Sequence, residues 1–160
     1  MRNDQLGGSR GATECFSKAG LTIGDGAKTG PAIAAPNGAG IDFAIDGNAY
    51  HKADAATVLP LTVAPVQPVL TKCLYLIQVD AAGVVTSVQG VPVLTADLVG
   101  GTKVLHWPLP AAGKCPIGAV KVETQSSATF TPGTTALDAA NIVETYYDFL
   151  GGMPTVPLAA

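Results

Sequence analysis

The chain has 160 residues, the size of one domain, and a formal net charge of -3 with no clustered Lys or Arg, so binding to a phosphate backbone is not expected. Only 13% of the residues are charged, about half the usual share for a soluble domain. With 48% hydrophobic residues, 19 Gly and 12 Pro, two readings remain: a β-rich domain with small uncharged loops, or a chain that covers part of its outside against partners. The charge deficit favours the second.

The opening MRNDQLGGSRG has no apolar core of the kind a secretory signal needs, and no apolar run reaches the roughly 18 residues of a membrane span. The three cysteines, Cys15, Cys73 and Cys115, are odd in number and lack CxxC spacing. That argues against a disulfide framework and a zinc site. Buried free thiols in a protein made in the cytoplasm are expected, with a Cys73–Cys115 bridge open if their strands are neighbours.

Residues 1–40 are dense in Gly, Ala, Ser and Thr. Phe16, Leu21, Ile23 and Ile33 are isolated apolar spots without a period of 2 or 3.6, so the segment reads as an extended N-terminal arm with one short strand near Leu21 to Ile23, either a floppy tail or, on the functional reading, an arm that orders only against a neighbour. The domain proper then spans residues 41–150. In IDFAIDGNAYHKAD, a primed two-residue turn at Asp46-Gly47 or at Gly47-Asn48 makes a hairpin. Either register puts Ile41, Phe43, Ile45 and Tyr50 on a core face and Asp42, Ala44, Ala49 and His51 on an exposed one.

Pro60, Pro65 and Pro68 rule out a helix or central strand across residues 57–70, which reads as an edge or crossing segment. Residues 74–79 are almost continuously apolar, which predicts a strand covered on both faces, turning at Asp80-Ala81-Ala82-Gly83 into a return arm at 84–89. Further short strands are expected at 91–95 and, after a Gly100-Gly101 turn, at 102–107, then at 115–124 and 126–131. Residues 115–124 set Ile117, Ala119, Lys121 and Glu123 against Val120, Val122 and Thr124. Residues 134–141 could hold one helical turn, and 141–149 place Val143, Tyr147 and Phe149 inward with Glu144 and Asp148 outward. Residues 151–160 form an apolar, extended docking tail. Short strands punctuated by Gly and Pro, without a βαβ rhythm, predict an all-β fold, a β-sandwich or a barrel.

No catalytic signature emerges. GLTIGDGAKTG has Ala27 where a phosphate loop needs Gly before Lys. Asp42 or Asp54 could orient His51, yet no GxSxG elbow supplies a nucleophile. Cys73 heads an apolar strand, His106 precedes Trp107-Pro108, and two His without local acidic spacing are a weak metal set. No enzyme activity, cofactor or metal is expected.

The runs FAIDGNAYHKAD, CLYLIQVDAAGVVTSVQGVPVL, LHWPLPAAGKCPIGAVKVET and ETYYDFLGGMP, in that order over about residues 41–154, resemble a small protein encoded beside the major capsid protein of tailed bacteriophages, the head decoration or cement protein. The resemblance implies a β-sandwich or jelly-roll-like domain on the outer capsid surface of the virion. It also implies partners, namely the major capsid protein and copies of the chain itself, as dimers or trimers at lattice symmetry axes. A fibre or receptor-binding module that takes glycans is the alternative. Capsid or neighbour contact is expected from Phe16, Leu21, Ile23 and Ile33 in the arm and from Met153, Val156 and Leu158 in the tail. The core is expected to include Phe43, Tyr50, Leu74, Leu76, Val79, Val122 and Tyr147. On this reading, deleting residues 1–38 leaves a folded domain that binds capsids poorly.

Overall fold

The computed structural model describes residues 11–158. The fold is all-β. Its strands are β1 (Glu14–Cys15), β2 (Leu21–Ile23), β3 (Pro31–Ile33), β4 (Ile41–Ile45), β5 (Asn48–Lys52), β6 (Thr71–Asp80), β7 (Val85–Gln89), β8 (Val93–Leu94), β9 (Lys114–Thr124) and β10 (Ile142–Asp148), with one short helix, α1 (Thr95–Val99), after β8. The main sheet has the order β10-β9-β6-β7, with β8 also paired to β6. β1-β4-β5 and β2-β3 form two small sheets, and every strand pairing is antiparallel.

Local chemistry explains the pairings. The β4–β5 turn is Asp46-Gly47, both at positive φ (50° and 81°). This backbone carries the right-handed twist of a hairpin. It sets Phe43 opposite Tyr50 and Asp42 opposite His51, with the Phe43 and Tyr50 rings stacked at 5.7 Å. In the β6–β7 turn the Asp80 carboxylate accepts from the Ala82 and Val84 N–H groups at 3.0 and 2.9 Å.

β6 is the spine of the fold and is buried on both faces from Cys73 to Val79. On one face Cys73, Tyr75, Ile77 and Val79 join Ile117, Val120 and Val122 of β9 and meet Cys15, Leu21, Ile33, Ile41 and Phe43 from the small sheets, giving a sandwich-like layering. On the other, Leu74, Leu76 and Ala119 lie under Val93, Leu98, Leu105, Trp107 and Phe149. A buried polar knot stitches the crossing segment to the spine. Gln67 Nε2 donates to the Thr71 and Val122 carbonyls at 3.2 and 3.0 Å, and Gln67 Oε1 accepts from the Tyr75 hydroxyl at 3.0 Å.

Several expectations need correction. Residues 11–40 are not a free arm: Cys15, Ala19, Leu21, Ala32, Ile33 and Ala35 are buried in the domain's own core. The part of the arm at residues 1–10 lies outside the described residues. The alternation of β9 breaks at a bulge where Ile77 faces Gly118 but Gln78 faces Pro116. The extra residue turns Ile117 to the face of Val120 and Val122, away from Ala119. Val143 is 44% exposed rather than inward, and Asp148 is held by the fold, accepting from the Leu21 N–H at 2.8 Å. Residues 126–131 and 102–107 make only isolated bridges, at Phe130 and Leu105, and residues 134–141 form turns rather than a helix.

Candidate interaction surface

The outer face of the main sheet carries the most distinctive surface. Residues 100–109 cross it as a loop pinned by Trp107, whose ring meets Tyr147 and Phe149 edge-on at 5.6 and 5.4 Å. Trp107 Nε1–H donates to the Val156 carbonyl at 2.8 Å, and the Leu158 N–H donates to the Leu105 carbonyl at 2.9 Å. The C-terminal tail therefore docks on its own chain. Gly90 permits the loop's approach. Its N–H donates to the Leu74 carbonyl at 2.7 Å, and a Cβ there would lie 3.0 Å from that oxygen and 3.2 Å from Pro108 Cγ.

Between this loop and residues 88–93 opens a groove of about 730 Å³. Its walls are mostly apolar, and Val91 and Leu109 stand 80% and 79% exposed at its rim. Lys103, on the same wall, is ion-paired to Asp97 at 2.8 Å. A second hollow of about 260 Å³ lies between His106, Trp107 and Leu109 and the tail residues Met153, Pro154, Thr155 and Pro157. Val63 and Val66, on the crossing segment beside β7, add further exposed apolar side chains. Exposed apolar surface gathered in this way is uncommon on a lone folded domain.

Of the seven residues expected to make contacts, Leu21 and Ile33 are buried, and Ile23 packs against the same core. Met153 and Leu158 pack against the outer-face clusters. Phe16, 51% exposed, and Val156, 74% exposed, present themselves to solvent. The groove's Val91, Val104 and Leu109 were missed. Their signal was a short apolar stretch broken by Gly and Pro, which reads equally as a strand.

His51 Nδ1 sits 2.8 Å from Asp42 Oδ1 on the exposed hairpin face, whereas Asp54 accepts from the Ala35 N–H. No nucleophile is hydrogen-bonded to His51 among the described residues. Cys73 pairs with Val122 while Cys115 pairs with Val79, at opposite ends of the β6–β9 ladder, so they cannot bridge. Burial pushes both thiols up to about 12. No cluster of metal-ligating side chains occurs among the described residues, and no helix among them is long and apolar enough to cross a membrane.

Comparison with known families, curated proteins and solved structures found no match.

Proposed function

We propose that the chain is a head decoration, or cement, protein of a tailed bacteriophage. It binds the outer capsid surface and stabilises the lattice of the major capsid protein, without catalysis. The observation that carries this reading is the exposed apolar groove around Val91, Val104 and Leu109 on a chain only 13% charged. Such a surface supports a role in which part of the outside is covered by neighbours. The order of strand patterns over residues 41–154, similar to that of decoration proteins, supports it from the sequence.

The mechanism is linkage. A protein that binds only the assembled lattice stabilises that lattice by its binding free energy, and many copies on one shell add avidity. The mostly apolar groove supplies non-directional affinity. A glycan-binding module is less favoured, because Trp107, the one tryptophan, has its ring packed against Tyr147 and Phe149 and its Nε1–H engaged.

Heating expanded phage heads that lack a decoration protein, with and without this chain, tests the role. Heads carrying the chain are expected to hold their DNA to a higher temperature. Release at the same temperature with and without it would remove the stabilising role.

A further inference from the structure

The main sheet has two edges, and the chain treats them differently. The β7 edge is covered. The outward Ser87 N–H donates to Thr62 Oγ1 at 2.9 Å, the Thr62 N–H donates to Ser87 Oγ at 2.8 Å, and Gln89 Nε2 donates to the Pro65 carbonyl.

The β10 edge has no such cover among the described residues. The Gln125 N–H donates to the Asn141 carbonyl and the Phe149 N–H to the Ile117 carbonyl. Those bonds fix the phase of the ladder: odd-numbered residues of β10 bond β9, and Glu144, Tyr146 and Asp148 aim their N–H and C=O groups away from it. The Ile142 N–H is already taken by the Ala139 carbonyl at 3.0 Å, which leaves its carbonyl outward. The edge is regular over all seven residue pairs with β9 and carries no Pro and no Lys; its two charges, Glu144 and Asp148, guard it against any register that sets a carboxylate opposite another.

We infer that β10 is the seam of a two-fold homodimer, pairing antiparallel with β10 of a second copy. The strand's own side chains select that partner and its register. The register that overlaps the whole of Ile142–Asp148 is centred on Thr145. It sets Glu144 opposite Tyr146 of the partner subunit, Val143 opposite Tyr147 of the partner subunit, and Thr145 opposite itself. Its main-chain bonds run through Glu144 and Tyr146, whose outward groups are unused. A slide by one step either way along this phase puts Glu144 opposite Glu144 of the partner subunit, or opposite Asp148 of the partner subunit, and like charges directly opposite are destabilising.

One further feature fits the centred register. Val143 is 44% exposed, and it would gain an aromatic neighbour in a close, non-hydrogen-bonded pair.

This inference goes beyond the capsid reading and does not depend on it, because light scattering on the free protein tests it without heads. Over a concentration series the full chain is expected to approach twice its 16.1 kDa mass. Glu144→Pro removes an outward N–H without touching the β9 ladder, and is expected to keep the far-ultraviolet spectrum while running as a monomer. Thr145→Lys and Thr145→Asp, each alone, are expected to weaken dimerisation by about fivefold, and an equimolar mixture of the two to recover it. The Thr145 exchange decides the matter should Glu144→Pro fail to fold. A monomer at every concentration, or a dimer indifferent to the Thr145 charges, would overturn the seam.

Discussion

Cys73 and Cys115 show how burial sets chemistry at the scale of a residue. Each thiol ionises at 9.0 when free and at about 12 in the fold, with desolvation as the largest cause. The native state therefore keeps a proton that the unfolded chain has lost between those limits. The thiols' contribution to stability is intact below pH 9.0 and is lost as pH climbs toward 12. Thermal melts across that window should show the decline, and Cys73→Ala should flatten part of it; a melting temperature level through the window would contradict the burial argument. Gly118 is fixed by contact instead. A Cβ there would sit 2.4 Å from the Tyr147 carbonyl oxygen and 2.5 Å from Leu21 Cδ1, so Gly118→Ala is expected to cost about 1–3 kcal/mol in denaturant unfolding. Periodicity does not reveal this glycine, because the bulge beside it is a tertiary feature. The same bulge sends Ile117 to the opposite face from the one that simple alternation assigns.

At the scale of elements, strong local signals were legible and weak ones were not. The Asp46-Gly47 turn and the unbroken apolar run of β6 both carry their structure in the sequence, since a primed turn and two-sided burial leave few alternatives. The segment at residues 11–40 does not. Its strands β1, β2 and β3 span two or three residues each, too short for any period to show; β1 is ordered by contact with β4 and β9, β2 by contact with β10, and β3 by pairing with β2. This reverses the expected outcome of removing residues 1–38. Losing Cys15, Leu21 and Ile33 from the core withdraws roughly 2–5 kcal/mol for a large side chain, against a total stability of about 5–15 kcal/mol for a domain. The truncated chain is expected to lose the dispersed amide spectrum of a folded protein. A folded truncation with native-like dispersion would return the segment to the status of an arm. The tail behaves similarly: its two best anchors, Leu158 and the Val156 carbonyl, bind the chain's own Leu105 and Trp107.

Across the whole molecule, the charge-poor composition was legible from the start, but where the uncovered apolar surface collects was not. Val91 and Leu109 belong to separate loops that meet in one groove, where Gly90 lies against Pro108. Because both are almost fully exposed, Val91→Asp with Leu109→Asp should leave stability within about 0.5 kcal/mol per site while weakening any docking through the groove. Capsid binding is tested most directly by co-sedimentation of the chain with expanded phage heads lacking decoration, counting bound copies per major capsid subunit. Saturation at a fixed lattice ratio is expected, with loss of binding in the Val91 and Leu109 double variant. Absence of binding, or a handful of copies per particle, would contradict the capsid reading.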